Sequence, residues 1–401
     1  MCILSKIALS QSEYVKRIAR IRCELTKRHL DALYLTSGAS LLYTTAFSHI
    51  TTERPAALII PLDGEITFMG PIIESDHIKA AAPLIKRVYS YLDYPGETHP
   101  MNLFAGWLKE MGLSSRSIGI DNLKGASGTW GYTGPSISEK LPEAKFTEAK
   151  DIVENMRRIK SDEEIALIRE SSKWSEVAHR FLEKYTKPGL WDTEIAVKAT
   201  LEASKVMKRK LGVGYEQTRG GLGCARADYR GQVGEGSAIP HAISIKRKIR
   251  KGDVLVTGAE ADIAGYSAEL ERTVILGRPT AKQKRYFEIM VEMQDAALET
   301  FGPDVKCSEV DQATIKVARQ NRVTHYLRHH TGHGIGFGEH EPPWIDQGNH
   351  ELLKPGMVVS CEPGIYIPGF AGFRHSDTIL ITEQGSEIIT KYPRDLESLT
   401  I

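Results

Sequence analysis

Apolar positions along the first 150 residues change period repeatedly. Residues 12–28 carry helical spacing, and residues 32–35, 56–60, 65–69 and 117–120 then read as short β runs. Strands alternating with helices predict an α/β domain around a largely buried sheet. The pattern changes after Arg158. Ser161 followed three positions later by Glu164 is a capping box, which predicts the start of a long helix. Ile165, Ile168, Trp174, Ala178, Phe181 and Tyr185 line one face of that helix, and Pro188-Gly189 stops it. The domain boundary is therefore expected just before it, dividing the chain into 1–155 and 156–401.

The second region repeats itself. After the first helix comes Pro188, and six residues later Glu194-Ile195 begins another. After a helix over 282–301 comes Pro303, and six residues later Glu309-Val310 does the same. KGDVLV at 251–256 then matches PGMVVS at 355–360, each a strand entered from a glycine turn. Two copies of helix, helix and strands predict a pseudo-two-fold α+β domain with a cleft between its halves.

Composition narrows the function classes. A chain of 401 residues with 41% hydrophobic and 26% charged residues fits two packed domains, not a disordered or fibrous chain. Its 52 basic and 51 acidic side chains leave a formal charge of +1, so no global field draws it to nucleic acid or an anionic membrane. Five scattered cysteines without a CxxC pair predict neither a disulfide framework nor a structural zinc site. No secretory cleavage pattern follows the short apolar N-terminus, and a cytoplasmic setting is expected.

Gly332-His333-Gly334-Ile335-Gly336, His340-Glu341-Pro342-Pro343, and Gly356-Met357-Val358-Val359 leading to Glu362-Pro363-Gly364 stand in one order with Pro240-His241, Gly252-Asp253 and Gly265-Tyr266. Together they resemble the pita-bread hydrolases (creatinase, prolidase, methionine aminopeptidase). The resemblance implies an α/β creatinase-type N-terminal domain and an α+β pita-bread catalytic domain. It also implies two divalent metals held by two Asp, one His and two Glu, since paired hard cations need several carboxylates. His333 and Glu362 match those ligand positions. Glu269 replaces one Asp, Gly258 the other, and Ser376 the last Glu. The repeat makes the same point: Gly258 lies six residues after Gly252, as Glu362 does after Gly356. The expectation is no cofactor. The alternative is one divalent ion such as Mn, Co, Fe or Zn on Glu269, His333 and Glu362.

Residues 263–273 resemble creatinase in particular, with Glu271 as the distinguishing residue. That resemblance implies His241 as the proton-transferring catalytic residue, alongside His333, with Glu271 and Glu362 holding a cationic amidine or guanidinium. Arg54 would clamp a substrate carboxylate, and His340 stands where creatinase has a second arginine. The leading expectation is a metal-independent hydrolase of a C–N bond in a small carboxylate-bearing substrate. The alternatives are a metal-dependent Xaa-Pro dipeptidase or aminopeptidase with a reduced metal site, and a non-catalytic binding protein. A homodimer with Arg54 acting in trans is expected, with no nucleic-acid or membrane partner. Plainer readings make His241 a strand cap, pair Glu271 with Arg272, leave Glu269 solvated, and place His325, His329 and His330 in a turn. Gly220, Gly221 and Gly223, flanked by Arg219 and Arg226, predict a flap over the cleft.

Overall fold

The computed structural model describes residues 7–126, 132–215, 218, 224–243 and 247–401. The expected flap at Arg219, Gly220, Gly221 and Gly223 lies outside the described residues. The chain forms two compact units, Leu9–Arg157 on one hand and Arg158–Ile401 with Met1–Ala8 on the other.

The N-terminal unit contains α1 (Gln11–Lys27), β1 (Ala32–Leu35), α2 (Gly38–Thr45), β2 (Ala57–Pro61), β3 (Thr67–Pro71) and α3 (Ser75–Ala81). There follow β4 (Arg87–Tyr91), α4 (Pro100–Glu110), β5 (Ser117–Ile120), α5 (Ile137–Lys140), β6 (Lys145–Glu148) and α6 (Asp151–Arg158). Its described strands make one mixed sheet in the order β4-β3-β2-β1-β5-β6. Helix α1 starts where Ser10 accepts the Glu13 N–H, a cap that satisfies an otherwise orphaned donor. Strands β1, β2 and β3 are buried throughout, which is why their apolar runs were readable. The edge strands β4 and β6 are only partly buried and carry no such run, so sequence periodicity missed both.

The C-terminal unit opens with α7 (Asp162–Tyr185), α8 (Asp192–Leu211), β7 (Ala225–Asp228), β8 (Val254–Val256), β9 (Gly258–Ala261) and β10 (Thr273–Ile275). It continues with α9 (Ala281–Thr300), α10 (Cys307–Gln320), β11 (Gly332–Gly336), β12 (Gly338–Ile345) and β13 (Val358–Cys361). Strands β14 (Gly364–Ile367), β15 (Ala371–Arg374), β16 (Asp377–Thr382) and β17 (Gly385–Ile388) complete it. The expected capping box is formed: Glu164 Oε2 accepts the Ser161 N–H at 2.8 Å, and Ser161 Oγ accepts that of Glu164 at 3.4 Å. The buried stripe of α7 differs in part from the expected one. Ile168, Trp174 and Ala178 are buried, but Ser171, Ser175 and His179 join them where Phe181 and Tyr185 were expected. Those serines are satisfied inside the unit, Ser171 by donating to the Ala261 carbonyl at 2.6 Å.

The repeat is visible in the backbone. Gly252 and Gly356 both hold a left-handed turn, at φ 91° and 85°. The Gly252 N–H donates to Leu276 O and that of Gly356 to Ile381 O, so each turn feeds a strand into the same kind of pairing. Strand β8 pairs antiparallel with β10, as β13 does with β16.

One ion pair ties these copies together. Arg272 and Asp377, both fully buried, meet at 2.7 Å. Arg272 also donates to the carbonyls of Ser376 and Pro393, and Asp377 accepts from Thr390 and Gln294. Every charge is thereby paired, as burial demands. Asp377→Ala would leave the guanidinium buried without a counter-charge and is expected to cost about 3–5 kcal/mol. Urea denaturation checks this; an unchanged midpoint would refute it.

Candidate active site

Three side chains from distant parts of the C-terminal unit converge. His333 projects from β11, Glu362 directly follows β13, and Glu269 lies between β9 and β10. His333 is in a strand, not the loop its glycine neighbours suggest. Those glycines are needed: a Cβ at Gly332 would overlap the Ser360 carbonyl, and one at Gly334 the Pro342 carbonyl. Only bare backbone lets β11 come this close to its neighbours.

Ligand atoms of Glu269, His333 and Glu362 all lie within 4.8 Å of one another. His333 Nε2 stands 3.2 Å from Glu362 Oε1 and 4.0 Å from Glu269 Oε2. Its Nδ1–H donates to the Gly334 carbonyl at 3.0 Å, which turns Nε2 toward the carboxylates. Nε2 is buried, and its neighbour there is the Glu362 carboxylate, which it faces as an ion pair. Ser376 Oγ donates to Glu269 Oε1, and the Glu269 N–H donates to Thr378 Oγ1 at 2.9 Å. Glu269 is thus a held member of the cluster, against the expectation of a solvated residue. His340 stacks on His333 with ring centroids 3.8 Å apart.

Electrostatics follows from this crowding. Burial, with the charges of Glu362 and Glu271, pushes the Glu269 carboxyl up to about 8. Burial opposes the charge on His333, but Glu362 and Glu269 outweigh it and raise the imidazole to about 9. Burial also opposes the charge on Glu362, yet His333, His329 and Arg374 overcome it and hold that carboxyl down to about 2.

Glu271 takes another part. It is buried, and its carboxylate accepts from Arg374 Nη2 at 2.8 Å, from Arg374 Nε, and from Arg230 Nη2. The protein's own guanidiniums fill the place expected for a substrate cation, and Arg272, the expected ion-pair partner, belongs to Asp377 instead. Sequence reasoning missed Arg230 entirely; an arginine beside Gly231 in a turn carries no signal of its target 41 positions away. It also missed Tyr366, which joins Arg374 Nη1 at 3.1 Å to His329 Nε2 at 2.8 Å. His329 is accordingly half-buried in this network.

The cleft beside the cluster has a cavity volume of ≈ 80 Å³ and is lined by Arg226, Asp228, Arg230, Glu269, Glu271 and His340 among others. His241, the expected catalytic histidine, is exposed in a turn and is not among its lining residues. Order along the chain does not settle where an irregular segment after Pro240 runs. Arg54 lies in the N-terminal unit, held there by Asp93 at 2.7 Å and Glu53 at 2.8 Å.

One buried imidazole and two carboxylates with ligand atoms within 4.8 Å of one another fit a single divalent ion. A second ion does not fit. Gly258 supplies no carboxylate, Ser376 gives its hydroxyl to Glu269, and Glu271 is already bound to two arginines.

Comparison with known proteins decides between the expectations. Residues 166–383 match metallopeptidase family M24, and residues 17–159 match the creatinase/prolidase N-terminal domain. The chain belongs to metallopeptidase family M24. This M24 chain is 25% identical to a prolidase from Pyrococcus horikoshii OT3, with a TM-score of 0.76 over 95% of this chain and 99% of that one. It is 25% identical to dipeptidase PepE from Mycobacterium ulcerans, with a TM-score of 0.80 over 98% and 100%. An uncharacterized peptidase of Staphylococcus aureus is 25% identical over 380 residues, 94% of this chain and 99% of that protein. The fold is the expected one, an α/β N-terminal domain before a pita-bread catalytic domain. The expectation of a metal-independent, creatinase-like amidinohydrolase is overturned: the M24 chain falls among peptidases, and its resemblance to creatinase rests on the N-terminal domain. The expectation of no cofactor falls with it, on the family's metallopeptidase character and the Glu269–His333–Glu362 cluster. What stands is a hydrolase. Among the described residues, no helix is long and apolar enough to cross a membrane.

A cation on this cluster requires His333 and Glu269 to lose their protons. Because their values are raised to about 9 and about 8, Mn²⁺ affinity is expected to climb as pH rises from 6 to 9. Calorimetry in two buffers of different ionisation enthalpy checks the accompanying proton release at pH 7; equal heats in both would contradict it.

Proposed function

We propose that this chain is a metal-dependent Xaa-Pro peptidase, dipeptidase or aminopeptidase, working with a reduced metal site of Glu269, His333 and Glu362. The observation that carries the reading is the convergence of the buried Nε2 of His333 with the carboxylates of Glu269 and Glu362, all within 4.8 Å of one another. The likeness to a prolidase and a dipeptidase along nearly the whole chain supports it.

A divalent cation held there would supply Lewis acidity, polarising a peptide carbonyl and making water a better nucleophile. The chain's own residues do the rest. Gly334 O fixes the tautomer of His333, and Ser376 and Thr378 hold Glu269 in place. Glu362 stays ionised beside them at neutral pH. His340, exposed at the cleft over His333, is positioned to contact the peptide, and Arg230 offers a cation beside it. The homodimer implied by the resemblance is part of the reading.

The experiment is hydrolysis of an Xaa-Pro dipeptide before and after chelation. Activity is expected to vanish with chelator and return with Mn²⁺, and His333→Ala is expected to lower kcat/KM by about 100-fold or more. Turnover that survives both treatments would overturn the metal reading. Light scattering tests the dimer, and a monomer with full activity would remove that part alone.

A further inference from the structure

Arg230 is out of keeping with a structural salt bridge. Its backbone sits in the left-handed region at φ 47°, uncommon for a residue with a side chain, followed by Gly231 at φ 71°. That turn sends the side chain into the cleft, where it remains 44% exposed. Its target, Glu271, is already neutralised by the buried Arg374 through a two-point contact. The second guanidinium is therefore surplus to the charge of Glu271. It lies in the same cleft as Asp228 and Glu269, and the charges of both act on it.

Its position is set by what is missing. A Cβ at Gly258 would lie 3.6–3.7 Å from the Arg230 guanidinium. Gly258 is also the counterpart, in the other half of the repeat, of the cluster residue Glu362. Where one half presents a carboxylate to a cation, the other presents bare backbone with a guanidinium over it. We propose that Arg230 is a built-in cation standing in the second-ion position of the cleft, and that it restricts the site to one metal ion. The proposal rests on the reading of Glu269, His333 and Glu362 as a metal site. A guanidinium satisfies Glu271 with N–H donors, brings no coordination shell, and repels a dication placed beside it.

The test is metal stoichiometry of the full chain, by elemental analysis after equilibrium dialysis against Mn²⁺. The natural protein is expected to bind one ion. Gly258→Asp with Arg230 retained is expected to stay at one, because the new carboxylate pairs with the guanidinium. Arg230→Ala with Gly258→Asp is expected to bind two, and Arg230→Lys with Gly258→Asp to return to one, since the charge is restored. One ion in a folded Arg230→Ala/Gly258→Asp protein, or two in Gly258→Asp alone, overturns the proposal and leaves the metal reading standing. Two ions in the natural protein do the same. None in the natural protein removes both. If the double variant does not fold, Arg230→Ala alone decides: its Mn²⁺ affinity is expected to tighten by about tenfold on loss of a like charge. An unchanged Kd overturns the proposal.

Discussion

The buried pair of Arg272 and Asp377 is the constraint from which the cleft takes its shape. It joins the segment entering β10 to the start of β16, and its charges are satisfied by Gln294 of α9 and by Thr390 and Pro393 near the end of the chain. The residues immediately beside the pair are Glu271 and Ser376, which exchange backbone hydrogen bonds with each other. One of them anchors two arginines and the other fixes Glu269. The placement of charge in the cleft is thus inherited from an ion pair that touches none of the reacting groups.

Given that frame, the chemistry turns on how three carboxylates are shared out. Glu271 is assigned to guanidiniums, while Glu269 and Glu362 are left to His333. The division is enforced by burial, since a carboxylate without a partner in that environment would take up a proton. Glu269 illustrates the point, its carboxyl pushed up to about 8 beside two other acids. A cleft divided this way gathers Glu269, His333 and Glu362 into one set of donors.

Much of the fold was legible because it rests on local rules. The capping box at Ser161, the glycine turns at 252 and 356, and the strands entering from them are short-range features with their own physical signatures. The cluster itself was readable as a set: His333 between glycines and Glu362 after an apolar strand both announce a constrained setting. What misled was the stretch 263–273, where Glu271 matched creatinase. A glutamate's role depends on its partners, and those lie 41 and 103 positions away. Likewise His241 stood in the right order along the chain and yet is exposed in a turn.

The sequence by itself therefore determined the α/β first domain, the boundary and the internal repeat, because periodicity, caps and turn glycines act over a few residues, while the pita-bread plan and the cation-holding residues came from its resemblance to a family. Tertiary structure alone decided which carboxylates meet an imidazole and which meet an arginine. The reason is physical: side-chain charges are matched across space after distant strands have packed, and no short-range pattern records that pairing.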